Sequence, residues 1–336
     1  MPPADPLVEC VVNVSEGRDA AVLERLAGAI RSVPGSYLLH RDVGAGAHRT
    51  VFTFAGAPDA VFEAAFAVYE EAQRSIDMRR HRGTHPRSGA VDVCPFVPVA
   101  GISWADLIAR TQVLGARVAE RFGLPVYLYA ASAPAPARSN LADLRRGEFE
   151  GLAEKLAQPA WAPDFGPAVP HPTLGATVIG ARPFLIAWNI NLAPAATLSQ
   201  ARTLAARLRG SGSKDRPGLF PGLKAIGWFI EEYGRCQISC NVVDPDRVDL
   251  GRVYLTAVNL AASMGVRVTG SELIGLIPGL HLRSVAKNFC PGGTEEEVMA
   301  TAVTVLGLDD LAPFSWPERV LETVIRAAAR KDRPTR

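Results

Sequence analysis

The chain has 336 residues, 48% of them hydrophobic and 21% charged. This is globular composition, on a length suited to about two domains. A formal net charge of +2 excludes recruitment of nucleic acid or a membrane surface by bulk electrostatics, so no partner of either kind is expected.

No apolar run reaches the roughly 18 residues of a transmembrane helix. The opening MPPADPLVEC carries no charged leader and no apolar stretch, so no secretory signal is expected. Five cysteines, at 10, 94, 236, 240 and 290, are odd in number and scattered, which suits reduced thiols in a cytoplasmic chain.

In chain order, VECVVNV (8–14) reads as a buried strand, and SEGRD turns it into an amphipathic helix, AAVLERLAGAIRSV. GSYLLHRDV and HRTVFTFAG are the next two strands. APDAVFEAAFAVYEEAQRSI is a second helix with Pro58 in its first turn, a position proline tolerates. A polar loop, RRHRGTHPRS, leads into the strand GAVDVCPFVPV; a third helix and the strand LPVYLYA follow. Residues 132–175 are rich in Ala, Pro and Gly and read as a connector with short helical pieces. The second half repeats the rhythm with the strand ARPFLIAWNINL, the helix TLSQARTLAARLRG, a hairpin of LKAIGWFIEEYG with RCQISCNVVD, a helix ending at AASMG and the strand VRVTGSELIGLIP. Each half therefore reads strand–helix–strand–strand–helix–strand, the ferredoxin-like pattern. The expected fold is α/β with two such subdomains, 1–178 and 179–330, and a frayed tail at 331–336.

The polar loop is the densest chemistry in the chain. In GTHPR, Gly83 is expected to supply an unusual backbone angle, and Pro86 drives His85 into an extended conformation. An imidazole aimed from such a loop suits general acid–base work near neutral pH. His81 and His85 have the spacing of helical metal ligands, but Gly83 and Pro86 break a helix and arginines surround the pair, so no metal is expected. Cys236 and Cys240 share one face of a strand and read as buried thiols. Arg79, Arg80, Arg82 and Arg87 crowd the loop, Arg49 opens the third strand, and Arg182, Lys214 and Lys224 lie further on. This is chemistry for anions, carboxylates above all. GSGSKDRPG (210–218) lacks the order of a phosphate-binding loop and reads as a flexible basic surface loop. DFGPAVPHPTLGATVIGARPF (164–184) joins the halves and could line a groove for a flat heteroaromatic ring.

Taken together, VECVVNVSEGRD, SIDMRRHRGTHPRSGAVDVCPFVPV, WAPDFGP, GATVIGARPFLIAWNINL, GLKAIGW, GSELIGLIP and LGLDDLAPF resemble the glutamate formimidoyltransferase (formiminotransferase) family over roughly residues 7–325. The resemblance implies transfer of a formimidoyl group from N-formimidoyl-L-glutamate to N5 of tetrahydrofolate, in histidine degradation. Tetrahydrofolate is then the acceptor substrate, and no metal is required. By the same resemblance His85 is the catalytic histidine and Asp42, in HRDVGAG, the assisting acid. The folate segment maps onto Gly166, Pro167, Ala168, Val169, Pro170, His171, Pro172, Thr173, Leu174 and Gly175. Carboxylate-binding roles are expected for Arg49, Arg87, Arg182 and Lys224. The family has two α/β subdomains with a folate tunnel between them and forms homodimers. The chain departs from the family's habit at Val12 (proline), His48 (asparagine), Thr84 (an acidic residue) and Leu174 (an aromatic). Two alternatives share most of these residues: a formyltransferase using N-formylglutamate, and a folate-binding protein without turnover.

Overall fold

The computed structural model describes residues 5–287 and 289–331. The expected tail at 331–336 falls, beyond the backbone of Lys331, outside the described residues. The chain divides into two compact units, Met1–Pro183 and Phe184–Arg336.

The first unit begins with β1 (Leu7–Val14), α1 (Ala20–Arg31), β2 (Ser36–Gly44), β3 (Arg49–Gly56), α2 (Pro58–Ser75) and β4 (Val91–Ala100). These strands lie in the order β2-β3-β1-β4, all antiparallel, which is the ferredoxin-like arrangement. It continues with α3 (Trp104–Phe122), β5 (Val126–Leu128) and β6 (Thr177–Ala181). β6 adds in parallel to β4, and β5 in parallel to β6, giving six strands. The expected boundary at 178 therefore falls inside β6. The expected strand ARPFLIAWNINL is divided: Ala181 closes β6, and Pro183 separates it from the first strand of the second unit, which begins at Ile186.

One face of this sheet is apolar and packed. Val8, Cys10, Val12, Val14, Phe52 and Phe54 meet Leu26 and Ile30 of α1, Val61 and Ala65 of α2, and Leu107 and Val118 of α3. The other face is shared unequally. Strand register sets Asp42, Val51, Asn13, Val93, Val178 and Tyr127 in one row across all six strands. The connector covers the β4-β6-β5 end of that face. Its helices α4 (Leu141–Leu144) and α5 (Leu152–Leu156) bury Leu144, Leu152 and Leu156 against Val93, Tyr127 and Val178. Lys155 fastens the connector by donating Nζ–H to Leu144 O at 2.6 Å and Asp143 O at 2.8 Å.

The second unit holds β7 (Ile186–Leu192), α6 (Leu198–Leu208), β8 (Leu223–Ile230), β9 (Arg235–Val242), α7 (Leu250–Ser263) and β10 (Val268–Ile274). Its sheet runs β10-β7-β9-β8, all antiparallel, the same ferredoxin-like order. The alternating residues Trp188, Ile190, Leu192, Cys236, Ile238 and Cys240 face Leu204, Leu208, Val253 and Ala257 of the two helices. The two cysteines are thus buried core thiols. Four further helices, α8 (Gly279–Ala286), α9 (Glu295–Leu306), α10 (Trp316–Arg319) and α11 (Leu321–Lys331), extend this unit. The loop at 210–218 is held as a hydrogen-bonded double turn, with Gly212 N–H on Arg209 O at 2.9 Å and Ser213 N–H on Arg216 O at 2.9 Å. Among the described residues no helix is long and apolar enough to cross a membrane.

Candidate active site

The loop between α2 and β4 is anchored at both ends by backbone. Met78 N–H donates to Thr173 O at 2.8 Å, and Ala90 N–H to Leu174 O at 2.9 Å. Ser15 closes the base through Oγ–H on Gly89 O at 2.7 Å. Here the loop crosses the chain at 174–176 with almost no clearance: a Cβ on Gly89 would lie 2.1 Å from Ala176 O, and one on Gly175 2.2 Å from Ser88 O. Gly83 is needed for a similar reason. Its φ is not among the positive ones, contrary to expectation, but a Cβ there would lie 2.3 Å from Ala47 O.

His85 is presented from this loop with both ring nitrogens engaged. Nδ1 faces Pro86 O at 2.8 Å, and Nε2 faces Nη1 of Arg49 at 2.5 Å. A guanidinium can only donate, so Nε2 is the acceptor and Nδ1 carries the hydrogen. Enclosure by the protein, reinforced by the Arg49 and Arg145 charges, pushes the imidazole well below its ordinary 6.5, against the pull of Pro86 O. His85 therefore stands neutral near pH 7, with its basic lone pair at Nε2.

Arg49 starts β3 and projects on the face that the connector leaves open. Burial lowers it to about 10, aided by Arg145, while Asp92 and Asp42 pull the other way. Asp42 lies on β2 opposite Val51, on the same face, with Oδ2 3.6 Å from His40 Nε2. Asn13 of β1 falls in the same row. Asp92, at the start of β4 and fully buried, accepts from Ser88 N–H at 2.8 Å and from Arg145 Nη2. The structure thus gathers His85, Arg49 and Asp42, which the sequence singled out, with Arg145, Asp92 and Asn13, which it did not. A carboxylate inside the apolar run AVDVCPF was a usable signal for Asp92, since a buried charge demands a partner. Nothing local marks Arg145, which arrives from the connector.

Three of the four loop arginines are spent on the protein itself, while Arg80 stays exposed, 3.9 Å from Asp77. Arg87, expected at the substrate, is 6% exposed and forks onto Glu150 at 2.6 and 2.7 Å, with Glu148 at 2.9 Å. Its Nε–H donates to His81 Nδ1 at 3.1 Å. Arg79 pairs with Asp77 at 2.7 Å, and Arg82 donates to His81 O at 2.7 Å. His81 completes the scaffold through Nε2–H on His48 O at 2.7 Å and stacks on the His48 ring at 4.2 Å. His48 has a left-handed backbone, φ 50°, which histidine and asparagine both tolerate better than most residues. Its ring faces Arg82 O at 2.8 Å and Glu16 Oε1 at 3.3 Å, and so ties three loops together.

Residues 166–175 form a turn-rich segment. Gly166 to Val169 are exposed, and Gly166 and Gly175 have left-handed φ of 85° and 74°. His171 Nδ1 accepts from Leu174 N–H at 3.0 Å and caps the turn. Leu174, expected to face a ligand ring, instead points into the core at 4% exposure. Arg182 donates to Pro183 O at 3.0 Å, and Lys224 lies exposed on β8 of the second unit. No group of three or more His, Cys, Asp or Glu side chains among the described residues is placed to hold a metal.

Comparison with known proteins meets this geometry over nearly its whole length. Residues 7–182 match a family model described as the formiminotransferase domain, N-terminal subdomain, and residues 187–326 one described as the formiminotransferase domain. The formimidoyltransferase-cyclodeaminase of Rattus norvegicus is 44% identical over 325 residues, 95% of this chain and 60% of the rat protein. The chain thus spans about 60% of the length of such relatives. The glutamate formimidoyltransferase of Streptococcus pyogenes is 41% identical over 84% of this chain and 93% of its own length. That of Thermoplasma acidophilum is 39% identical, covering 84% and 92% respectively. The two domain matches adjoin at the junction between the structure's two units, and the chain belongs to the formiminotransferase family.

Proposed function

We propose that the chain is a glutamate formimidoyltransferase, moving the formimidoyl group of N-formimidoyl-L-glutamate to N5 of tetrahydrofolate. The observation that carries the reading is the tautomer of His85: neutral, with Nδ1–H fixed on Pro86 O and Nε2 basic. The acceptor's N5 is an amine that must lose a proton as it attacks the amidine carbon. The glutamate nitrogen must gain one to leave. Nε2 of His85 takes the first proton and returns it in the second step, so one imidazole serves both. Asp42, on the same open face, offsets the positive charge of the amidinium as the tetrahedral intermediate forms. Holding both substrates in register supplies several kcal/mol more as saved entropy.

Arg49 and Arg145 supply the positive field that glutamyl carboxylates require. The turn from Gly166 to His171, exposed through Val169, gives a backbone surface for the folate ring, with Arg182 as a further anion contact. The family likeness and the scattered thiols support a cytoplasmic homodimer. The test is turnover: native protein and His85→Ala are given both substrates, and free glutamate and formimidoyl-tetrahydrofolate are followed. The variant should lose about 10²–10⁴-fold in turnover while folate binding persists. A native protein that binds folate but forms no product with this donor, or serves N-formylglutamate better, refutes the proposal.

A further inference from the structure

The nitrogen that His85 would use as a base is already occupied. Arg49 Nη1–H points at Nε2 from 2.5 Å, and a lone pair that holds one N–H cannot take a second proton. Freeing it requires Arg49 to find a better partner. Arg49 is poised for that. Neighbouring arginines have carboxylates, Arg145 on Asp92 and Arg87 on Glu148 and Glu150. Among the described residues none lies within 4.0 Å of the Arg49 guanidinium. Next to it, Nε of Arg145 is buried with no hydrogen-bond partner. The site therefore holds donors for an oxyanion: Arg49 on the very nitrogen that must be released, and Arg145 near enough for its charge to act on His85.

The chemistry of the donor selects which anion. In N-formimidoylglutamate the α-carboxylate sits on the carbon that bears the leaving nitrogen, and the γ-carboxylate lies three carbons further out. A guanidinium touching the base can serve only the nearer group. Resting on the transferase reading above, we infer that Arg49 receives the donor's α-carboxylate, and that this exchange uncovers Nε2 of His85. One N–H···N bond breaks and N–H···O bonds form; no proton changes owner. The exchange replaces a single N–H···N bond to a neutral ring with a bidentate pair of N–H···O bonds between opposite charges, so it runs downhill. Arg49 thus acts as a latch on the base, and a donor without the α-carboxylate occupies the site with the latch shut. Such a donor loses kcat, since the missing interaction is one that completes the catalytic group.

Two measurements test this. In protein carrying ¹⁵N-labelled histidine, with His85 assigned by comparison with His85→Gln, saturating L-glutamate should move Nε2 downfield, toward an imine nitrogen that accepts no hydrogen bond. Saturating 4-aminobutyrate, which lacks the α-carboxylate, should leave it in place. In turnover, N-formimidoyl-L-glutamate should exceed N-formimidoyl-4-aminobutyrate in kcat by on the order of 100-fold, the lower range of general-base effects. In Arg49→Met, whose Nε2 has no latch, that ratio should fall toward unity. An Nε2 signal unmoved by bound glutamate overturns the inference, as does equal kcat for the two donors in the native protein. If glutamate moves the nitrogen yet no donor turns over, the transferase reading fails and the exchange at Arg49 stands.

Discussion

Replacing Arg87 separates a substrate contact from a structural one. Sequence logic places this arginine at the donor's carboxylates, whereas the structure buries it against Glu148, Glu150 and His81. Breaking a fully buried ion pair costs about 3–5 kcal/mol, because the orphaned charge stays buried. Here the Glu148 and Glu150 side chains are 43% and 59% exposed and regain water when the arginine goes. Their pair with Arg87 then counts for about 0–1 kcal/mol, as at a surface. His81 is different: at 4% exposure its Nδ1 loses a donor that water cannot readily replace, for about 1–3 kcal/mol. Arg87→Met, which keeps most of the packed stem, should therefore cost about 1–4 kcal/mol, a fall of roughly 2–16 °C in the unfolding midpoint. Calorimetry measures the midpoint, and saturation kinetics at a temperature where the variant is folded measure KM for the donor. A KM raised about tenfold or more with an unchanged midpoint would return Arg87 to the substrate site and refute the argument.

Acid should unfold the protein from a higher pH than carboxylates alone would set. His81, His85, His171 and His281 are all held below 6.5, burial being the first cause in each. Below pH 6.5 the unfolded chain binds protons that the folded chain refuses, so stability is fully present above that value and falls as pH drops beneath it. Urea midpoints measured from pH 8 to pH 5 should decline below about 6.5; a flat profile would contradict the assignment. In the second unit, Asp310 Oδ2 gathers Asn191 Nδ2 at 2.9 Å, Thr269 Oγ1 at 2.7 Å and Arg235 Nη1 at 3.2 Å. Asp310→Ala should destabilise by about 2–4 kcal/mol, since fully buried Asn191 loses an acceptor and Arg235 its counter-ion. Hydrogen exchange should quicken in β7, β9 and β10 and stay unchanged in β1 and β3.

Strands and helices that alternate or repeat cleanly were legible, because one buried face fixes the period. The amphipathic helices α1 and α2 and the β8–β9 hairpin are of this kind. β6 was not, because its fully buried residues and those of β7 make one apolar run with only Pro183 between. The site divides in the same way. His85 is readable because Gly83 and Pro86 mark its own loop, and Arg49 because it opens a strand. The fate of Arg87 is not, since Glu148 and Glu150 lie 61 and 63 residues further on. Nor is Arg145, whose meaning comes entirely from a buried Asp92 that lies 53 residues earlier.

The chain builds the same four-stranded plan twice, but only the first copy receives the connector between β5 and β6. That insert is more than a cover. It delivers the counter-ion of Asp92, the carboxylates that fix Arg87 and part of the charge around His85. Duplicating the strands and helices alone would therefore give a second framework without a second site. Conversely, shortening the connector would leave the β2-β3-β1-β4 hydrogen bonds whole while stranding a carboxylate in the interior. The surroundings of the reactive histidine are in this sense borrowed from outside the repeated fold, at the line where its symmetry ends.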